Sequence, residues 1–326
     1  MQKNFFTLII VLLLLITIGV TSYVRESSSG LPKILPAEGN VLSYAVYTED
    51  GDILYTNKIE EIKKSLGGKV SVRTDLYTVN NPVGIIENPP FESIVNIYNK
   101  VLKSIDDNRK ILIIYIDGLG YEHYRNAVGS GSIPYIASVK PAAEALTVYP
   151  PITDVAFAAM VTGNTPKYTG IHSREKKPLP IPTIFDIAAE KGKSSKVIEG
   201  NIKIIADEVP TVLNIDDNKN DTIDDEIYAC AMAEIKDPPD VLLVHFHSYD
   251  DFGHKYGPAS EKAINQLSVL DSYIENIIKE YEGDVIITSD HGMHDVQDGG
   301  AHGEFLSSDL YIPIIEINQA DKAGDL

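Results

Sequence analysis

The alternation of apolar and polar positions predicts a sheet covered by helices in the C-terminal two thirds of the chain. From about Ile105, short apolar runs alternate with segments whose apolar side chains recur at helical spacing, such as Ser260–Tyr281. The runs predicted as buried strands are Ile111–Ile116, Val197–Ile198, Val241–Phe246, Val285–Thr288 and Tyr311–Ile317. Strands that alternate with helices form a mostly parallel central sheet with helices on both faces, which makes the fold class α/β. Ligands in such sheets bind at the carboxyl ends of the strands.

A different pattern precedes this region and predicts a small β-rich unit. Val41–Tyr47 and Ile53–Thr56 flank an Asp-Gly turn, which predicts a β-hairpin, and Val70–Val79 alternates again. The segment before them is rich in Ser, Gly and Pro, as a linker is. We therefore divide the chain into an export or anchor segment (1–24), a linker (25–40), a small N-terminal α+β unit (41–104) and the α/β domain (105–326).

The N-terminal segment is uniformly apolar from Phe5 to Val20 and is preceded by Lys3. About 20 such residues can span a bilayer, and a charged residue before an apolar run is also typical of a secretory signal. A buried core helix fits poorly because no polar face interrupts the run. Both a cleaved signal peptide and a retained membrane anchor stay open. In either case we expect the rest of the chain to be extracytoplasmic, anchored to the membrane or secreted.

Composition narrows the functional classes. The 326 residues carry 28 Lys+Arg and 47 Asp+Glu, a net charge of −19, which disfavours specific binding to nucleic acids. A single cysteine, Cys230, excludes an internal disulfide and a cysteine-based zinc cluster. The chemistry must therefore come from carboxylates, histidines and hydroxyls.

Aspartate and histidine residues cluster just after the predicted strands. Each alone is weak evidence, since an aspartate after a strand is more often a helix cap. Together they indicate a metal site at one edge of the sheet. A mixed carboxylate and imidazole set suits zinc or a similar first-row metal, whereas calcium takes only oxygen ligands. The candidate ligands are Asp117, Asp250, His254, Asp290, His291 and His302.

A candidate nucleophile lies between these segments. Tyr149–Phe157 has the pattern of a strand end that turns into a small-residue helix reaching Val161, with Thr153 at the helix N-terminus. Thr153 caps the helix in the simplest interpretation. The same position also offers free amides and the positive end of the helix dipole, and a hydroxyl bound to a metal there ionises more easily.

These motifs resemble the alkaline phosphatase superfamily, and most closely its type I phosphodiesterase/nucleotide pyrophosphatase branch. The matching stretches, which span roughly residues 111 to 317, are IDGLG at Asp117, TDVAFAAMVTGNTP from Thr153, DDFGHKYGP from Asp250, SDHGM at Asp290 and GAHGE at His302.

The resemblance implies two divalent metal ions, for which zinc is the favoured identity. It assigns one ion to Asp117, Asp290, His291 and the Thr153 oxygen, and the other to Asp250, His254 and His302. It also implies that Thr153 attacks phosphorus to form a phospho-threonine intermediate, which water then hydrolyses. Two dications balance three aspartates and a threonine alkoxide, so a phosphoric ester can approach without strong repulsion.

One segment departs from the pattern of the family. In TGNTPKYTGIHSREKKP, Thr169 replaces a histidine, and Arg174 stands near the position of an asparagine that helps to bind the phosphoryl oxygen. Arg174 and Lys177, with Lys176, are either a solvated basic loop or a clamp for phosphate oxygens. A cationic clamp would favour a dianionic monoester over a diester.

Three functions therefore stay in competition. The first is an exported metal-dependent hydrolase of phosphoric esters, of the phosphodiesterase or pyrophosphatase type, acting on a small-molecule substrate. The second uses the same site as a phosphomonoesterase or as a transferase to another acceptor. The third is an anchored surface protein without activity. A sulfatase is disfavoured because Cys230 lacks the sequence context that such enzymes need.

Overall fold

The computed structural model describes residues 33–35, 43–65, 67–174 and 177–322. The strands in these ranges are β1 (Lys33–Leu35), β2 (Tyr44–Thr48), β3 (Ile53–Thr56), β4 (Ile59–Lys64), β5 (Val70–Thr74), β6 (Thr78–Asn80), β7 (Pro82–Glu87), β8 (Glu92–Ser93), β9 (Ile111–Ile116), β10 (Ala143–Leu146), β11 (Ser195–Glu199), β12 (Thr211–Leu213), β13 (Val241–Phe246), β14 (Asp284–Thr288), β15 (His294–Val296), β16 (Gly299–Ala301) and β17 (Tyr311–Ile317). The helices are α1 (Asn96–Asp106), α2 (Tyr121–Ser130), α3 (Pro134–Val139), α4 (Thr153–Thr162), α5 (Pro166–Thr169), α6 (Ile184–Glu190), α7 (Asp224–Glu234), α8 (Ser248–Tyr256), α9 (Glu261–Glu280), α10 (Ser307–Leu310) and α11 (Gln319–Lys322).

The predicted apolar N-terminal segment lies outside the described residues. Among the residues that are described, none of the helices combines the length and the apolar character that crossing a bilayer requires.

An eight-stranded sheet forms the centre of the molecule, in the order β12-β11-β13-β9-β14-β17-β10-β8. The strands from β12 to β14 run parallel to one another, whereas β17 is antiparallel to both β14 and β10. The predicted mostly parallel sheet is confirmed, and the predicted strands Ile111–Ile116, Val241–Phe246 and Tyr311–Ile317 have the predicted bounds.

Helices cover both faces of this sheet, as predicted. Every residue of β9 is buried, and its side chains alternate between two hydrophobic cores. Ile111, Ile113 and Tyr115 pack with α1, α4 and α6 in one core. Leu112, Ile114 and Ile116 pack with α2, α7 and α9 in the other. A strand buried on two faces needs an uninterrupted apolar run, which is why ILIIYI has no charged residue.

The β-rich N-terminal unit forms two small sheets, of order β1-β7-β2-β3 and β4-β5-β6. The predicted hairpin is present, with β2 and β3 antiparallel. The unit packs against the α/β domain through Tyr47, whose hydroxyl donates to the Thr147 carbonyl at 3.0 Å. The Tyr47 ring also meets the Phe305 ring edge-on, with centroids 5.2 Å apart.

Candidate metal centre and nucleophile

Three neighbouring parallel strands, β13, β9 and β14, end at the same edge of the sheet and place the candidate aspartates there. Asp117 directly follows β9, and its backbone N–H donates to the Phe246 carbonyl of β13 at 2.9 Å. Asp290 lies two residues beyond β14, and Asp250 lies in the first turn of α8, just after β13. The candidate aspartates therefore lie at the edge where parallel sheets usually bind their ligands.

The three aspartates each direct a buried oxygen that has no hydrogen-bond partner among the described residues: Asp117 Oδ1, Asp250 Oδ1 and Asp290 Oδ2. The other oxygen of Asp290 is held firmly, because the N–H groups of Gly118 and His291 donate to Oδ1 at 3.0 and 2.9 Å. A buried carboxylate oxygen without a partner is costly, and a bound cation removes that cost. These three oxygens therefore fit the predicted metal ions.

The histidines are oriented by backbone carbonyls. Nδ1 of His254 contacts the Gly300 oxygen at 2.9 Å, and Nδ1 of His302 contacts the Pro151 oxygen at 3.0 Å. Nδ1 of His291 contacts the Gly292 oxygen at 3.1 Å. A carbonyl only accepts, so these contacts place a proton on each Nδ1 and leave Nε2 as the ligand atom. Metal-binding histidines are oriented in this way by their second nitrogen.

The first predicted ligand set converges around His291. Its Nε2 lies 3.5 Å from Asp117 Oδ1 and 3.2 Å from Asp290 Oδ2, and ligand atoms of all three residues lie within 4.8 Å of one another. Four ligands at about 2.1 Å from a tetrahedral zinc ion are separated by about 3.4 Å. The spacing of these side chains therefore suits a zinc-sized ion.

The second predicted set is arranged around Asp250. Its Oδ2 lies 3.3 Å from His254 Nε2, and Asp250 also groups with His302 and His291 within 4.8 Å. The rings of His291 and His302 are stacked, with centroids 3.7 Å apart. The structure thus brings all six candidate ligands to one place, with His291 between the two sets. Their division between two ions remains a prediction.

Thr153 is the first residue of α4, a helix whose ten residues are all buried. Its Oγ1 lies 3.4 Å from His291 Nε2, so the hydroxyl faces the candidate ligands. The N–H of Ala156 donates to the Ile152 carbonyl as in a regular helix turn, so the amides of the three preceding residues lie at the positive end of the helix dipole. This position favours an anion beside the Thr153 hydroxyl.

Two glycines allow the segments to approach this closely. Gly118 has φ of +75°, and a Cβ there would lie 2.8 Å from Asp250 Oδ1. A Cβ at Gly292 would lie 1.9 Å from the Ser308 carbonyl oxygen. The backbone beside Asp117 and His291 therefore has no room for a side chain.

The carboxylates and imidazoles perturb one another strongly. Burial, together with the negative charge of Asp117, raises the pKa of Asp290 to about 7. The hydrogen bond with Asp250 raises the pKa of His254 to about 9, despite the opposing effect of burial. Burial and the neighbouring His291 lower the pKa of His302 to about 4. The cluster therefore holds protons that a metal ion would have to displace.

Three residues that the sequence left without a role also reach the site. Glu199 ends β11, and His245 and His247 lie on and just beyond the adjacent β13. One nitrogen of each imidazole lies 3.5 Å from Asp117 Oδ2, and the other contacts Glu199. Two signals were available: His245 and His247 are two positions apart, which places both on one side of a strand, and Glu199 ends a neighbouring run.

The predicted substrate-binding residues lie at the surface. Arg174 and Lys177 are exposed in the segment after α5. Within the described ranges, no hydrogen bond or ion pair joins Arg174 to another residue. Their contact with a substrate therefore remains a prediction, and Lys176 lies outside the described residues.

The sequence of residues 187–318 matches the family model of type I phosphodiesterase / nucleotide pyrophosphatase. This stretch contains the candidate ligands from Asp250 to His302, and Asp117 and Thr153 precede it.

Curated relatives match shorter stretches. The catalytic subunit of human GPI ethanolamine phosphate transferase 3 is 34% identical over 76 residues, which are 22% of this chain and 7% of that protein. GPI ethanolamine phosphate transferase 2 of Kluyveromyces lactis is 36% identical over 66 residues, or 20% of this chain and 8% of that protein. The chain thus spans less than a tenth of the length of these relatives.

Two solved structures are also similar. Phosphonoacetate hydrolase from Sinorhizobium meliloti 1021, in complex with phosphonoformate, aligns with a TM-score of 0.47 and 18% identity, over 56% of each chain. Murine ectonucleotide pyrophosphatase / phosphodiesterase 5 aligns with a TM-score of 0.45 and 21% identity, over 58% of each chain.

Proposed function

We propose that the chain is a metal-dependent hydrolase of phosphoric esters with Thr153 as nucleophile, on the premise that residues 187–318 match the family model of type I phosphodiesterase / nucleotide pyrophosphatase. The observation that carries the proposal is the convergence of six Asp and His side chains beside the Thr153 hydroxyl, with a buried unpartnered oxygen on each aspartate. Two divalent ions held by these residues would supply the positive charge that stabilises a phosphoryl group in transfer.

The residues of the chain have separate tasks in this proposal. Asp117, Asp290 and His291 would hold one cation, and Asp250, with His254 and His302 beside it, would hold the other. The Thr153 oxygen attacks phosphorus, the bond to the leaving oxygen breaks, and the phosphoryl group remains on Thr153. Water then attacks phosphorus, the bond to Thr153 breaks, and its hydroxyl is restored. The amides at the start of α4 stabilise negative charge on the phosphoryl oxygens.

A transferase is the second candidate, and the similarity to GPI ethanolamine phosphate transferases favours it. The first step is the same, but an alcohol instead of water attacks the group on Thr153. A diester substrate then gives a new diester, whereas hydrolysis gives a monoester. The choice between these outcomes depends on access of the acceptor to Thr153.

Mass spectrometry of the purified chain tests the nucleophile. Quenching in acid during turnover should leave the mass of the transferred phosphoryl group on the peptide that contains Thr153. Thr153→Ala should lose both this adduct and the activity, while its metal content stays close to that of the wild type. An active Thr153→Ala variant, or an adduct on another residue, would remove Thr153 from this role.

Product analysis separates the candidate reactions. Bis-p-nitrophenyl phosphate and p-nitrophenyl phosphate compare diester with monoester turnover, and added ethanolamine or glycerol offers an acceptor. A new diester that forms in proportion to the alcohol would indicate a transferase. Release of the monoester alone would indicate a hydrolase.

We also propose that the α/β domain faces away from the cytoplasm. The support is the apolar run Phe5–Val20 behind Lys3. Protease protection in spheroplasts or sealed vesicles, followed by N-terminal sequencing, would test the orientation and cleavage of this segment.

A further inference from the structure

The N-terminal β-rich unit contacts the two segments that flank Thr153 and His302 in the chain. The first, which we call the approach segment, is residues 147–152, directly before Thr153. The second, the His302 loop, is residues 302–306 and connects β16 to α10. The N-terminal unit has no task in the proposed reaction, and the match to the family model begins only at residue 187. Its contacts nevertheless place it beside the candidate site.

The two segments are joined to each other. Nδ1 of His302 contacts the Pro151 carbonyl oxygen at 3.0 Å, and this contact orients the ring. A Cβ at Gly303 would lie 3.4 Å from Cγ2 of Ile152, so the two segments lie in close contact. Ile152 is also the N-cap residue of α4, directly before Thr153. A displacement of either segment is therefore passed to the other.

Tyr47, on β2 of the N-terminal unit, contacts both segments. Its hydroxyl donates to the Thr147 carbonyl at 3.0 Å, at the start of the approach segment. Its ring meets the Phe305 ring of the His302 loop edge-on, with centroids 5.2 Å apart. Tyr47 and Phe305 are almost completely buried, so water does not weaken either contact. A single side chain of the N-terminal unit thus holds both segments.

Phe305 lies between the N-terminal unit and the approach segment. Its ring centroid is 6.0 Å from that of Tyr149 in the approach segment. A Cβ at Gly84 of β7 would lie 2.2 Å from Cε1 of Phe305, so the ring rests directly on the backbone of that strand. Because only three residues of chain lead from His302 to Phe305, the position of the ring limits where the imidazole can lie.

We propose that Tyr47 is a positioning residue for the reaction. Its hydroxyl holds the approach segment and, through it, Thr153. Its ring holds Phe305 and, through it, the ligand His302. The proposal deepens the proposed function and rests on the roles which that function gives to Thr153 and His302. Such support matters because a displacement of about 1 Å costs a reaction on the order of 100-fold in rate, and a metal ligand tolerates about 0.5 Å.

Two substitutions in the full chain separate the hydroxyl of Tyr47 from its ring. Tyr47→Phe removes only the hydroxyl, so its kcat for bis-p-nitrophenyl phosphate in excess zinc should fall about 10-fold. Its KM should stay within about twofold of the wild type, because a positioning defect acts in the transition state, and its zinc affinity should not change. Tyr47→Leu also removes the ring contact. Its kcat should fall about 100-fold, and one zinc ion should bind about 10-fold more weakly in a titration with a competing chelator.

Val72→Ala is the matched control. Val72 is as deeply buried as Tyr47, but it packs in the separate small core of the N-terminal unit. Its midpoint of urea unfolding should fall, as it should in the Tyr47 variants, whereas its kcat and zinc affinity should stay those of the wild type. All variants are compared at a temperature at which circular dichroism shows each of them to be folded.

The outcomes separate this proposal from the proposed function. Wild-type kcat in Tyr47→Phe overturns the proposal, also where Tyr47→Leu does not fold. Equal losses in Val72→Ala overturn it as well, because activity would then follow stability alone. A wild-type chain without activity, or an active Thr153→Ala variant, refutes the proposed function instead. The zinc titration then decides the role of Tyr47 at His302, since unchanged affinity in Tyr47→Leu overturns it.

Discussion

Gly118 offers a direct test of whether Asp250 binds a metal ion. Gly118 follows Asp117 with φ of +75°, and a Cβ built on it would lie 2.8 Å from Asp250 Oδ1. That oxygen is buried without a hydrogen-bond partner among the described residues. Gly118→Ala therefore perturbs a proposed ligand atom without removing any ligand.

The size of the effect follows from two terms. The left-handed backbone costs an alanine about 1–2 kcal/mol of folding stability relative to glycine. The distance between the added methyl group and Asp250 Oδ1 must also increase by roughly 0.6 Å to become an ordinary contact. A metal site loses its geometry once its ligands move by about 0.5 Å. We expect the affinity for the ion held by Asp250 to fall about 10- to 100-fold, as when a supporting group of a metal site is changed.

Gly131→Ala is the matched control. Gly131 has φ of +73°, but nothing lies within 4 Å of its Cβ position. Gly131→Ala should lose about 1–2 kcal/mol in urea unfolding, and Gly118→Ala should lose at least as much because its methyl group also displaces Asp250. Only Gly118→Ala should bind zinc more weakly in a titration with a competing chelator. Equal zinc affinity in the two variants would refute the assignment of Asp250 as a ligand.

Three further predictions concern protons, substrate and packing. Zinc affinity should rise as pH passes 7 and again towards 9, because the ion displaces protons from Asp290 and His254, whose pKa values are about 7 and 9; a chelator titration that shows no pH dependence would contradict this. Arg174→Ala should raise KM for a monoester more than for a diester, about tenfold for one lost charge-assisted contact; equal effects on both would leave Arg174 in a solvated loop. Phe305→Ala should destabilise the chain by about 3–5 kcal/mol in urea unfolding, because the ring is buried against Tyr47, and a cost below 1 kcal/mol would argue against that packing.

The architecture of the α/β domain could be predicted because its signals are local. Strands buried on both faces need unbroken apolar runs, and runs such as Ile111–Ile116 and Val241–Phe246 became strands with those bounds. The order of the strands could not be predicted in this way. The neighbours of β9 are β13 and β14, which follow it by more than 120 residues, and β17 is antiparallel. Periodicity does not encode which strands pair.

The candidate ligands could be predicted from the sequence because strand ends and motif spacing place them at one edge of the sheet. Their arrangement was harder to predict, since Asp250 groups with His291 as well as with His302 and His254. A linear motif assigns residues to sets, whereas packing decides which ring lies between two carboxylates. Gly292, the next residue, permits this packing, because a side chain there would collide with Ser308.

Glu199, His245 and His247 were missed because each looks like part of a strand when taken alone. His245 lies inside the apolar run VLLVHF, and Glu199 ends a short run on the neighbouring strand. Their relation appears only when β11 pairs in parallel with β13, which brings Glu199 beside His245. Two histidines that are two positions apart meet an acidic residue on the adjacent strand only if the pairing register places them side by side. Where those strand ends also face a carboxylate such as Asp117, the imidazoles retain protons that balance the buried carboxylates, and the negative charge of Glu199 raises the pKa of His245 to about 9 despite burial.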